Sequence, residues 1–502
     1  MNSKVGEKVL ESELELNCAT VAVWFYHHPK DGRGKDARGR RVGTERGGKE
    51  KEREGEEERE DARRKERGDA ERRRDESIVA VGSYEHTTTT KSGGAEEGEE
   101  EAKEERIGRV TLFRCSRKRE EEEKEEEEKE EENVNASSPN SSSSRSRRPS
   151  GEEKISFDVC GELDAISRAR CGGAFDLKFG NASRSEGGRV ELAMACANNR
   201  LEVFEMTTDG DADFDDDDGG KQERLVRLKP TAQFECGFGG IGLCTSAAWS
   251  CRDRSIVATG DDGAAVVVDY ERATMMASSG GSDGVEGDNS QVLFRVENAH
   301  ADAIWASSFL DGSEDVFFTG GDDCKLIKHD LREMGSRSSG EFAYPSQTSQ
   351  NFRFEKNPVF DAGVTTIESK GDILYVGSYD GACRAFDVRK SLKEPLWISR
   401  GNDDENEDGE EAASIWRVRL HPNFAATSKR SGKIALASMK AGCRVISSLD
   451  GSTVGTYRNG HDDDKVVYGC DWAFTNDATE EDEKEGFVSC SFYDRRVHVW
   501  TL

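Results

Sequence analysis

Seven short segments, rich in small aliphatic and aromatic residues, punctuate the sequence: ATVAVW from Ala19, AFDLKF from Ala174, CTSAAW from Cys244, IWASSF from Ile304, VTTIES from Val364, IWRVRL from Ile415 and VYGCDW from Val467. Each is too short for a helix and predicts a strand. A second pattern follows: a short strand, a glycine turn, an Asp, then a strand ending seven residues on. It runs from Asp262 to Asp269, Asp323 to Asp330, Asp380 to Asp387 and Asp494 to Thr501. The Asp suits a tight turn, where its carboxylate accepts backbone N–H groups. Degenerate copies stand at Val81–Tyr84 with Val110–Phe113, at Ala195–Asn198 with Leu201–Phe204, and at Ala437–Gly442.

Seven starts and seven ends predict seven four-stranded blades. A blade cannot bury both faces alone, so blades stack against neighbours into a ring. The expected fold is therefore all-β, a seven-bladed WD-repeat β-propeller spanning residues 1–502 as one domain.

Composition refines this picture rather than changing it. Residues 31–75 and 119–154 are charged stretches without apolar periodicity and are expected to be disordered insertions. The net charge of −30 is concentrated in five acidic tracts: Glu96–Glu105, Glu120–Glu132, Asp209–Asp218, Asp403–Glu411 and Asp477–Glu485. The folded part is then near neutral, which disfavours nonspecific binding to nucleic acid. The 13 cysteines form no C-x-x-C pair and read as reduced core thiols of a cytoplasmic protein. No apolar run is long enough to span a bilayer, and Glu7, Glu11, Glu13 and Glu15 are unlike a transit peptide. A cytoplasmic monomer without metal or organic cofactor is expected.

Individual copies carry features beyond the repeat. These are Asn298-Ala-His-Ala-Asp-Ala-Ile-Trp305, Phe318-Thr-Gly-Gly-Asp-Asp323, Val376-Gly-Ser-Tyr-Asp380, Phe386-Asp-Val-Arg389 and Glu394-Pro-Leu396. Ile415-Trp-Arg-Val-Arg-Leu-His-Pro422, Val467-Tyr-Gly-Cys-Asp-Trp472, Cys490-Ser-Phe-Tyr-Asp494 and Val497-His-Val-Trp500 follow. In this order and spacing, Asn298 to Leu502 resembles the WD-repeat diphthine methyl ester hydrolases, the diphthine methyltransferase family. The likeness extends more weakly to Glu15–Trp24, Ile78–Glu85, Arg106–Phe113 and Ala174–Met206; the charged insertions find no counterpart. The resemblance implies a carboxylic-ester hydrolase that removes the methyl ester of diphthine, a modified histidine on translation elongation factor 2. The product carboxylate would then be amidated to diphthamide. Two other readings stay open: a non-catalytic scaffold, the default for this fold, and a ubiquitin-ligase substrate receptor, suggested by Asp330-Leu-Arg332 and Asp387-Val-Arg389.

Ester hydrolysis needs an attacking group, a base and donors for the developing oxyanion. Gly280-Gly-Ser-Asp-Gly284 matches a nucleophile elbow by letter but lacks the strand and helix that such an elbow requires. The candidate catalytic residues are His300, Asp322, Asp380 and Arg417, with Asp471 and Asp494 as further carboxylates. Two of them have structural alternatives. His300 with Thr319 and Asp323 suits a link between strands of one blade, and Arg417 suits an ion pair on a strand face. His421 is expected at the opposite end of its strand. The second positions of the seven segments are Thr20, Phe175, Thr245, Trp305, Thr365, Trp416 and Tyr468, expected at one ring level near the channel mouth. Aromatic faces attract quaternary ammonium groups by roughly 0.5–2 kcal/mol per contact, and the resemblance implies a trimethylammonium on the substrate. Trp305, Trp416 and Tyr468, with Tyr379 and Tyr493 from the turns, are accordingly the candidate substrate-binding residues, although packing between blades also calls for large side chains there.

Overall fold

A computed structural model describes residues 4–5, 7–14, 18–25, 76–89, 103–119, 153–162, 172–181, 189–208, 225–278, 292–333, 359–400, 413–425, 432–457, 461, 466–474 and 485–502. The insertion at 31–75, the stretch 120–152 and the Gly280–Gly284 segment lie outside the described residues. Arg119, Glu153 and Lys154, assigned above to an insertion, belong to strands.

Seven sheets radiate from a common axis, and the seven apolar segments are their innermost strands: Cys18–Phe25, Ala174–Phe179, Cys244–Trp249, Ile304–Phe309, Val364–Lys370, Ile415–Leu420 and Val467–Phe474. We number the blades one to seven in that order. In blade two the strands run outward as Ala174–Phe179, Val190–Cys196, Arg200–Thr208 and Val226–Glu235, all antiparallel. Every innermost strand lies against the next around the ring, and blade seven's lies against blade one's. The circle therefore closes.

Closure depends on the N-terminal residues. Glu7–Glu13 pairs antiparallel with Arg496–Thr501 as the fourth strand of blade seven. Lys4–Val5 adds a parallel strand to the outer edge of blade six. The core follows the same plan. Seven clusters of buried apolar side chains occupy the seven blade-to-blade interfaces, one cluster to each. Burial of this kind is the main favourable term in folding.

The turn aspartates behave as the sequence predicts. Asp262, Asp323, Asp380 and Asp494 each accept the N–H two residues on, from Ala264, Lys325, Ala382 and Arg496 respectively. The residue after each Asp has a positive φ: Gly263 76°, Cys324 60°, Gly381 76° and Arg495 60°. Glycine suits two of these turns, while Cys324 and Arg495 hold the left-handed conformation with a Cβ.

Each innermost strand has a register shift between its first and third residues, so its second residue is a bulge. A bulge bends the strand and re-aims the side chain it carries. In blade one the shift falls between Cys18 and Thr20. The ring-level equivalent is thus Ala19, and the assignment of Thr20 to that level is corrected by one residue. At two bulges a threonine clips its blade to the next: Thr245 Oγ1 donates to the Ile304 carbonyl and Thr365 Oγ1 to the Ile415 carbonyl. The remaining four bulges carry Phe175, Trp305, Trp416 and Tyr468.

Candidate site at the upper channel mouth

The bulges stand at the N-terminal ends of the innermost strands, beside the turns that join second and third strands; we call this end of the channel upper. Here the aromatic rings form one connected arc. Trp305 and Trp416 have centroids 5.7 Å apart, Trp416 and Tyr379 5.7 Å, and Trp416 and Tyr468 5.2 Å in an edge-on arrangement. From Tyr468 the arc continues to Phe492 at 5.6 Å and Tyr493 at 6.4 Å. Phe492 lies 6.4 Å from Tyr84, which is 5.1 Å from Phe175. Edge-on and tilted pairs at these separations suit the ring quadrupoles. Bulges place Phe175, Trp305, Trp416 and Tyr468, turns place Tyr379, Phe492 and Tyr493, and the strand Glu76–Thr89 places Tyr84. Tyr493 is 54% exposed and forms the outer lip. Sequence reasoning missed Tyr84, which lies within a long strand, and Phe492, two residues before the turn Asp494.

Asp322 sits on this arc with solvent access. A Cβ added at Gly363 would stand 2.7 Å from Asp322 Oδ1 and 3.2 Å from the Tyr379 ring, so a side chain there would collide with Asp322. Partial burial and the neighbouring charges of Asp302 and Asp323 raise the Asp322 pKa, against an opposing contribution from the Trp305 indole N–H. That N–H is itself buried and makes no hydrogen bond of normal geometry. Burial, with Asp322 and Tyr468 nearby, likewise pushes the Tyr379 phenol up.

The other candidate catalytic residues are placed differently. His300 is fully buried inside blade four, with Nδ1 2.7 Å from Asp323 and Nε2 2.8 Å from Thr319. Thr319 Oγ1 is in turn 2.8 Å from His329 Nε2. Blade seven repeats the motif: His461 contacts Asp494 at 2.8 Å and Ser489 at 3.0 Å, and its ring stacks on His498 at 4.1 Å. The use of one network in two blades marks His300 as a strand-linking residue, which corrects its place among the candidate catalytic residues. Asp380 is corrected too. Its carboxylate is engaged by both terminal nitrogens of Arg384, at 2.9 and 2.6 Å, and accepts N–H groups from Ala382 and Asp361. Those partners outweigh burial and hold its pKa low.

Arg417 lies beneath the arc. It crosses the channel from blade six to blade two, where it pairs with Asp176 at 3.3 Å and donates to the Phe175 carbonyl at 3.2 Å. Its guanidinium carbon is 5.9 Å from the Trp416 ring centroid. One cation thus braces two members of the arc. Being fully buried, it is a floor to the mouth rather than a group that reaches into it.

A second tier lies below, two residues further along the innermost strands. Glu368 receives Lys178 at 2.7 Å and Arg419 at 2.6 Å, and Arg419 Nε is 3.6 Å from Asp471. Asp471 also accepts the Val23 N–H at 3.0 Å. Burial raises its pKa to about 6, although Arg419 pulls it down. Three cations and three carboxylates, counting Asp176 and Arg417, fill the channel. Under this plug a cavity of about 400 Å³ opens at the lower end, lined by Trp249, Phe309, His421 and Asp471 among others. His421 packs edge-on against Trp472 and lies 3.5 Å from Glu485. Glu485 was assigned to an acidic tract, but it is a buried partner of Lys433 at 2.6 Å. Arg332 and Arg389, of the two D-x-R segments, fold back onto Asp330 and Asp387.

Comparison with known proteins places these features in context. No protein-family model matches the chain. It is 29% identical over 213 residues to a Dictyostelium discoideum protein named diphthine methyltransferase homolog, a span of 40% of this chain and 51% of the relative. It is 27% identical over 221 residues to the Saccharomyces cerevisiae diphthine methyltransferase, covering 40% of this chain and 50% of the relative. The chain thus spans about half the length of the curated relatives it matches. Among solved structures, that of Chaetomium thermophilum Sqt1 bound to the N-terminus of ribosomal protein L10 is similar over 85% of this chain and 93% of that chain, with 13% identity and a TM-score of 0.46.

Proposed function

We propose, from the premise that this chain belongs to the diphthine methyltransferase family, that it hydrolyses the methyl ester of diphthine on translation elongation factor 2 in the cytoplasm. The relatives' names support a role in diphthamide biosynthesis. The observation that carries the finer reading is the aromatic arc with an accessible carboxylate on it. Trp305, Trp416, Tyr379 and Tyr468 receive the trimethylammonium group, which rings hold through their quadrupoles and a carboxylate holds by charge. Asp322 takes a proton from the attacking water, a role for which its raised pKa suits it. Water adds to the ester carbonyl, methanol leaves, and a carboxylate remains. The channel plug confines the substrate to the upper face.

The test supplies the purified chain with elongation factor 2 carrying methylated diphthine, in isotopically labelled water. Loss of one methyl group with label in the new carboxylate is the expected result. Asp322→Asn should lower kcat, whereas Trp416→Ala should chiefly weaken binding, by about 2- to 30-fold. Methyl gain from a donor, or no change, would refute hydrolysis. A second reading, a non-catalytic receptor for a quaternary ammonium group, is favoured by the engagement of His300 and Asp380 in structural pairs. It predicts binding without methyl loss.

A further inference from the structure

The arc has a gap at blade three, and a different feature occupies the rim there. The loop from Cys236 to Leu243 holds Ile241 out to solvent at 66% exposure. Its backbone is pinned from several sides. Asp261 accepts the N–H groups of Ile241 at 2.8 Å and Leu243 at 2.9 Å, and Asp262 accepts that of Gly239 at 2.6 Å. The Asn199 side chain bonds both the N–H and the carbonyl of Phe238, at 2.7 and 2.8 Å. Arg295 donates to the carbonyls of Cys236 and Gly237 and covers the buried Phe238 ring. Gly237, Gly240 and Gly242 have φ values of 64°, 58° and 72°, which suit glycine. Two carboxylates, an amide and a guanidinium are thus spent on fixing a loop whose outermost large side chain is apolar. A rigidly presented apolar residue loses little entropy on burial in a partner, which is the property of an interface anchor.

The surroundings specify the partner's chemistry. The turn that holds Ile241 packs on blade four, where a Cβ at Gly263 would stand 2.4 Å from the His300 carbonyl and 3.0 Å from that of Asp302. Asp302 and Asp322 are both exposed on this stretch of rim, which leads directly to Trp305. We infer that Ile241 is a docking anchor for the protein that carries the modified side chain, seated in an apolar cleft on a cationic segment beside it. This inference rests on the functional reading above for the identity of that protein.

The experiment compares wild type with Ile241→Asp for binding of elongation factor 2 carrying methylated diphthine, and for hydrolysis of the methyl ester of trimethylglycine, which offers only the cation and the ester. The expected result is a Kd for the protein raised by about 5- to 30-fold, the ~1–2 kcal/mol of burying most of an isoleucine side chain. Kinetics on the small ester should not move. An unchanged Kd, an equal effect on the small ester, or a wild-type dimer that the substitution dissolves would each overturn the anchor. Tight protein binding that depends on Ile241, without hydrolysis of either ester, would instead sink the hydrolase reading and leave the anchor standing.

Discussion

Replacing Thr319 by Val should destabilise the ring while leaving its shape intact, and the size of the effect follows from the blade-four network. One donor sequence satisfies every contact: His300 Nδ1–H donates to Asp323, Thr319 O–H donates to His300 Nε2, and His329 Nε2–H donates to Thr319 Oγ1. Val keeps the volume and removes the hydroxyl. It strands an acceptor on His300 and a donor on His329, both buried. Each orphaned group costs about 1–3 kcal/mol, so the expected loss is about 2–6 kcal/mol. Thr319→Ser keeps the hydroxyl, as blade seven does with Ser489, and should cost only the ~1 kcal/mol of a lost methyl group. Urea unfolding followed by tryptophan fluorescence measures both. A Val variant within 1 kcal/mol of wild type would show that the network does not stabilise blade four. It would also return His300 to the list of residues free for chemistry.

Further outcomes are expected. Burial lowers the His329 pKa to about 3, so its contribution to stability is lost as pH falls from about 6.5. Asp471, raised to about 6, acts oppositely, and its contribution is lost as pH rises from about 4. The two offset each other between those values. Asp471→Asn should therefore expose a loss approaching 1.4 kcal/mol per pH unit in acid, and an unchanged stability profile would refute the assignment. Cys324→Gly should raise stability by up to about 1 kcal/mol by relieving a left-handed residue with a Cβ, read as a rise in Tm. Deleting residues 1–13 removes the fourth strand of blade seven and should expose its edge, detected as a lower Tm and faster deuterium uptake across Arg496–Thr501.

Much of the architecture was legible because propeller strands obey two local signals, an apolar innermost run and an Asp turn at fixed spacing. The same alignment nearly yielded the site. It identified the ring level of Trp305, Trp416 and Tyr468, but took Thr20 for Ala19, because a one-residue bulge leaves no mark in the apolar pattern. The channel plug was also readable, since AFDLKF, VTTIES, IWRVRL and VYGCDW carry charges at their third or fifth positions; pairing across a ring requires the closed geometry to be seen. Glu7–Glu13 escaped because glutamates alternate through a strand with few apolar residues. Tyr84 and Phe492 join the arc only through side-chain directions that a sequence does not encode locally.

The strand at Glu7–Glu13 has a kinetic implication. It is translated almost five hundred residues before its partner at Arg496–Thr501, a delay of roughly 25–100 s at about 5–20 residues per second. For all that time the segment lacks its partner strand, while the residues of the first six blades are synthesised. Its glutamates, by repelling copies of the same segment on neighbouring ribosomes, offer a chemical reason why a strand that must wait so long is so poor in apolar residues.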